Sequence, residues 1–136
     1  MKTRICIFCL VVVMCLSGCS AGIGLTLGET TKYGSYEEIL TEYTKKLKDA
    51  TPILIEEYNE AAKDNQDGLM GLATLCNEKV SELAVISNEG IQEMAEFYFK
   101  KGSGAYSEYS EWASKLQDVY MEEASKIQDV YMDSAT

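Results

Sequence analysis

From residue 36 onward, apolar and polar positions follow a helical period along most of the chain. Tyr36, Leu40, Tyr43, Leu47, Ala50, Leu54, Tyr58 and Ala61 recur in steps of three and four, which places them on one stripe of a helix. Its start is marked by "SYEEIL", a capping box. The Ser35 hydroxyl accepts from the amide of Glu38, and the Glu38 carboxylate reaches back to the Ser35 amide. Pro52 removes a backbone donor in mid-stripe without shifting the phase. The segment is therefore expected to be one helix kinked at Pro52, or two helices end to end, with the same face buried either way. "KDNQDG", Lys63 to Gly68, closes it as a polar turn.

A second stripe follows at Leu69, Ala73, Cys76, Val80, Leu83, Ile91, Met94 and Tyr98. Ser87 and Gly90 interrupt it, so the helix is expected to be weakened near Gly90. Lys100 and Lys101 then suit a helix C-terminus, where cations are favoured, and Gly102 is available for a left-handed cap.

The last 33 residues divide into three elevens, "GAYSEYSEWAS", "KLQDVYMEEAS" and "KIQDVYMDSAT". Eleven residues make three turns at 3.67 per turn, so one stripe stays almost straight. Tyr109, Ala113, Leu116, Tyr120, Ala124, Ile127, Tyr131 and Ala135 form that stripe, with acid-before-base pairs Glu111 to Lys115 and Glu122 to Lys126 on the outer side. Lipid-binding helices of the apolipoprotein and synuclein kind also use elevens. Their polar faces are rich in Lys and Arg, whereas Gly104 to Thr136 holds only Lys115 and Lys126 against a clear excess of acids. A third bundle helix is the better reading. The expected fold class is all-α: an elongated antiparallel three-helix bundle over residues 36–136, about 45 Å long.

The N-terminus is patterned differently. Lys2 and Arg4 precede Ile5 to Leu16, twelve residues drawn only from Ile, Cys, Phe, Leu, Val and Met. As a helix this run covers about 18 Å, well short of the roughly 30 Å hydrocarbon core, so it reads as the apolar region of an export signal and not as a span. Leu16-Ser17-Gly18-Cys19 follows. This quartet resembles the lipobox of bacterial lipoproteins. The resemblance covers about the first 20 residues. It implies that residues 1–18 are a signal peptide cut between Gly18 and Cys19, that Cys19 carries a diacylglyceryl group, and that the protein is lipid-anchored at the cell membrane, facing outward. Each buried methylene contributes about 0.8 kcal/mol and one acyl chain anchors only marginally, so two chains give stable attachment. Residues 19–35 then act as a flexible tether. "SAGIGLTLGETTKYGS" has four glycines and a root-mean-square reach of roughly 20 to 25 Å. Ile23, Leu25 and Leu27 alternate as a strand would, but nothing downstream offers them a partner strand.

Charge narrows the partners. The chain holds 12 basic and 22 acidic side chains; losing Lys2 and Arg4 with the signal leaves a net charge of −12 over 118 residues. Such a surface is poor for nucleic acid, which needs a basic footprint, and is repelled by anionic headgroups. Among the cysteines, only Cys76 remains beyond Cys19, so no disulfide can form within the domain and Cys76 is expected in the core, the alternative being a thiol that pairs two chains.

The chain has no histidine, which removes the Ser-His-Asp, Cys-His and H-E-x-x-H arrangements. Asp64, Asn65, Asp67 and Gly68 match part of an EF-hand loop, but Lys63 stands at the first acidic ligand and Thr74 at the bidentate glutamate, so calcium is not expected. Carboxylate pairs such as Asp118 with Glu122 lie on a helix surface without a cleft. No enzyme activity, cofactor or metal is expected. The expectation is a helical protein-interaction or structural module at the cell envelope, with Tyr109, Trp112, Tyr120 and Tyr131 as candidate interaction residues and an envelope protein or further copies of the chain as partner. The alternative is a small-ligand or cation-binding lipoprotein with a site between helices ringed by Tyr98, Tyr109 and Tyr120.

Overall fold

The computed structural model describes residues 32–101 and 104–135. The lipobox Leu16-Ser17-Gly18-Cys19, the tether up to residue 31 and Gly102 lie outside the described residues. Three helices are present, α1 (Tyr36–Lys63), α2 (Gly68–Lys101) and α3 (Tyr106–Ser134), and each packs on the other two. Among the described residues there is no strand, and no helix is long and apolar enough to cross a membrane. The helices have 28, 34 and 29 residues, so α2 is the longest at about 51 Å.

Side-chain partners set the directions. Tyr36, at the start of α1, meets Phe97 near the end of α2 at 4.8 Å between ring centroids and stacks on Trp112 near the start of α3 at 6.4 Å. At the opposite end Glu57 pairs with Lys79 at 2.6 Å, and the Tyr58 hydroxyl lies 2.7 Å from Ser134 Oγ. Helices α1 and α3 therefore run parallel, with α2 antiparallel to both. We call the Tyr36–Phe97–Trp112 end proximal, because the chain enters there, and the Tyr58–Ser134 end distal.

The start of α1 follows the expected chemistry with one shift. Ser35 Oγ accepts from the Glu38 amide at 3.2 Å, while the Glu38 carboxylate accepts from the amide of Gly34, at 2.7 Å, and not from that of Ser35. Packing extends upstream of the helix, since Tyr33 is buried against the bundle. The helix continues without interruption through Pro52, which is exposed, so water can replace the missing donor on that side. The α1–α2 turn is closed by Asn65, whose side chain accepts from the Asp67 amide at 3.1 Å and donates to the Gly68 carbonyl at 2.8 Å. Gly68 sits at φ +59°, a left-handed conformation that other residues adopt only with strain.

The buried stripes differ from the expected ones in phase at a few positions. On α1, Ile39 and Thr51 are buried, whereas the neighbouring Leu40 and Ala50 are only half-buried. On α2, Leu69 is exposed, and the helix passes unbroken through Ser87 and Gly90, both buried on its packing face. Gly90 lies where the three helices meet. A Cβ added there would stand 2.5 Å from Leu116 Cδ2 on α3 and 2.7 Å from Tyr43 Cγ on α1. Glycine at that position permits close approach, a packing role that a helix-propensity argument does not register. Ile39, Leu47, Leu83, Met94, Leu116 and Ile127 are fully buried along the axis, each contributing about 1.5–3 kcal/mol of apolar burial. Cys76 is buried among them, in the core position expected of it, and burial pushes its thiol above the usual range.

Candidate interaction surfaces

The eleven-residue repeat of α3 has one position at which its three copies differ in kind: Trp112, Glu123 and Ser134. All three face α1. Trp112 stacks on Tyr36 with an interplanar angle of 16°. Ser134 Oγ donates to the Tyr131 carbonyl at 2.8 Å, which commits its only proton, so the Tyr58 hydroxyl must donate to Ser134. Between them Glu123 is buried, as is Thr51 across from it, and the two line an open groove of about 350 Å³ between α1 and α3 with the exposed Lys48, Pro52 and Lys126. Tyr36, Leu47 and Tyr58 on α1 are themselves eleven apart, so the two parallel helices share a register. The position at which all three copies differ meets α1 once every three turns, Trp112 at Tyr36, Glu123 near Thr51 and Ser134 at Tyr58.

Burial alone would raise the Glu123 carboxyl. A 2.6 Å hydrogen bond from Lys126, the neighbouring Thr51 hydroxyl and the Lys126 and Lys48 charges outweigh burial and hold it below the usual carboxylate range. The Thr51 proton is already given to the Leu47 carbonyl at 2.8 Å, so Lys126 is the firm donor. That contact adds a closer acid to the expected Glu122–Lys126 pair. Lys126 stands 2.6 Å from Glu123 and 3.9 Å from Glu122, while Glu111 and Lys115 pair at 2.8 Å as their spacing predicted.

The four candidate interaction residues fall in two places. Tyr109 and Trp112 stand at the proximal end, and Tyr120 and Tyr131 follow one and two repeats further along α3. All four are half-buried and pack against the core. Trp112 is also covered from outside, with the Lys115 ammonium 4.0 Å above its ring. As for a site ringed by Tyr98, Tyr109 and Tyr120, the first two rings are in contact at 5.8 Å. Tyr120 lies about 16 Å further along the helix, too far to close a ring with them.

What periodicity missed is the exposed part of the proximal end. Tyr98 is the hub of an aromatic cluster in which it meets Phe99 at 5.3 Å, Tyr106 at 6.4 Å and Tyr109 at 5.8 Å. Phe99 is 77 % exposed and Tyr106 67 %. The signal was present in the sequence, since Phe99 in "EFYFKK" is a large apolar residue off the α2 stripe. Beneath the cluster Tyr36 is 3 % exposed, and its hydroxyl has no hydrogen-bond partner among the described residues. Burial, aided by Glu108, Tyr98 and Tyr109, pushes that phenol above its ordinary value.

The distal end carries a different surface. Met70 is 80 % exposed and Leu69 59 %, and Met132 is exposed near the end of α3. An open concavity of about 850 Å³ between the end of α1 and the first turns of α2 is lined by Ala61, Met70, Gly71 and Leu75 with Asp64, Asn65 and Asp67. Among the described residues no group of three His, Cys, Asp or Glu is placed to hold a metal ion. Compared with family profiles, curated proteins and solved structures, the chain matches none.

Proposed function

We propose that this protein is an outward-facing, membrane-anchored lipoprotein whose helical domain docks an envelope protein or further copies of itself, without catalysis of its own. The observation that carries the anchor is the quartet Leu16-Ser17-Gly18-Cys19, placed directly after a short basic segment and twelve apolar residues. Residues 1–18 leave as signal peptide, Cys19 takes two acyl chains, and the segment that follows it joins it to the domain, into which Lys32, Tyr33 and Ser35 are already built.

The docking role is supported by the distal end, where Leu69, Met70 and Met132 stand in solvent on a domain whose other large apolar groups are mostly drawn inward. Exposed apolar groups of this kind mark interaction sites when they group together. A second reading, capture of a small ligand, is supported by the concavity at the same end, which joins apolar walls to the polar rim of Asp64, Asn65 and Asp67.

Two experiments test these readings. An alkyne-tagged palmitate fed to the host cells should label the protein, and Cys19→Ala should abolish both labelling and recovery with the membrane fraction. An unlabelled protein overturns the anchor. Chemical cross-linking on intact cells, followed by affinity recovery, should return one stoichiometric partner or a self-cross-link. Recovery of the protein alone sinks the docking role, and thermal-shift screening of the purified domain then decides the ligand reading.

A further inference from the structure

We propose that the aromatic proximal end, Tyr98, Phe99, Tyr106 and Tyr109 with Lys100 and Lys101, rests in the interfacial zone of a zwitterionic lipid bilayer, so that the bundle stands on the membrane with its distal end outward. The inference rests on the lipoprotein reading and deepens it by orienting the domain.

Three observations converge. The first is chemical: Phe99 and Tyr106 project from the proximal end at 77 % and 67 % exposure, and both contact Tyr98. Aromatic rings with a polar edge or a nearby cation are the side chains that collect at the membrane–water interface. Lys100 and Lys101 adjoin them, and the Lys101 ammonium lies 5.3 Å over the Phe97 ring, so its stem follows apolar surface while its charge stays outermost.

The second is charge. The domain as a whole is strongly acidic, and at this end Lys32, Lys100 and Lys101 offset part of the charge of Glu37, Glu38, Glu42, Glu96 and Glu108. An aromatic surface that carries its own cations suits zwitterionic headgroups, whereas the acidic bundle is repelled by anionic ones.

The third is the attachment. Twelve residues separate Cys19 from Lys32, so the two stand at most about 45 Å apart. Lys32 joins the bundle beside the first turns of α1, 3.6 Å from Glu42. Met70 is 28 residues before Tyr98 on α2, about 42 Å away along the helix. The anchor thus holds the aromatic end near the lipid at high effective concentration, where even weak interfacial affinity is sufficient.

The test uses the lipidated full-length product reconstituted in phosphatidylcholine vesicles with bromine on shallow acyl carbons. Trp112→Phe removes the native tryptophan, and Phe99→Trp or Met70→Trp then reports one end each. Both new sites are exposed, and circular dichroism checks that each variant remains helical. The F99W variant should lose about half its emission and shift to the blue, as expected for a ring some 5–10 Å into the interface, while M70W stays unchanged. As a readout without substitution, trypsin should cut after Lys101 several-fold more slowly on vesicles than in detergent, and after Lys63 at an unchanged rate. If the protein floats with the vesicles but F99W is unquenched, the anchor stands and this proposal is overturned in favour of a protein or second copy on the aromatic end. Quenching of M70W in place of F99W overturns it as well. If the native protein and C19A both fail to float, the lipoprotein reading itself has failed.

Discussion

Replacing Gly90 by alanine sets two physical effects against each other in sign. In a helix interior alanine is more favourable than glycine by roughly 0.5–1 kcal/mol, because it loses less backbone entropy on folding. If Gly90 were merely a weak point in α2, the variant would be more stable than the parent. The packing argues otherwise. The new methyl would lie 2.5 Å from Leu116 Cδ2, 2.7 Å from Tyr43 Cγ and 3.0 Å from Tyr43 Cβ. Optimal carbon separations are about 3.5–4.0 Å. Leu116 is fully buried, and Tyr43 is held through a Cβ fixed to its own backbone, so neither can give way cheaply. Overpacking of this kind costs about 1–3 kcal/mol, which leaves a net loss of about 1–2 kcal/mol after the propensity gain. Urea unfolding followed by far-ultraviolet circular dichroism measures the difference. Asn88→Ala, at an exposed site two residues earlier, is the control and should gain about 0.5 kcal/mol. The double variant G90A with Leu116→Val should recover part of the loss, a coupling expected only of residues in contact. A G90A protein more stable than the parent would refute the close approach of the three helices.

Other expectations follow from single contacts. Tyr58→Phe removes a hydrogen bond to Ser134 and should cost about 0.5–1.5 kcal/mol, whereas Tyr36→Phe removes a buried hydroxyl that bonds to no described residue and should be neutral or stabilising in the same urea assay. Glu123→Gln should cost about 1–2 kcal/mol at neutral pH through loss of the charged bond from Lys126. Because the folded Glu123 carboxyl is held below its ordinary value of 4.5, its contribution is present above that value and is lost as pH falls through the folded one. The parent and E123Q stability curves should therefore converge on acidification; a gap that persists in acid would count against the ionised pair. The buried Cys76 thiol should react with a disulfide reagent only when the domain unfolds, so fast labelling of native protein would place it at the surface.

The local rules were legible from residue types alone. Periodicity located three helices and one apolar face on each, the capping serine and the polar turn marked where α1 begins and ends, and the elevens announced α3. These features depend on neighbours within a turn or two, and the chain writes them directly. The Lys126 partner shows where that legibility stops. Spacing allowed Glu122, yet the closer acid is Glu123, because that side chain is held in the α1–α3 groove. Likewise the Phe99 and Tyr106 surface could be suspected from a misplaced aromatic, but its union with Tyr98 and Tyr109 required α2 to turn back into α3.

The sequence by itself determined the helical class, the presence of three helices with one apolar face each, the capping serine of α1 and the acidic composition, since each follows from residue type and local periodicity. Only the tertiary structure decided that Gly90 is a contact point between three helices, that Trp112, Glu123 and Ser134 face α1 in register, that the Tyr36 hydroxyl is left without a partner among the described residues, and which aromatics stay in solvent. Those outcomes depend on which helix stands opposite which, at what distance and at what height. That is a property of side-chain volumes meeting across space, and no segment carries it alone.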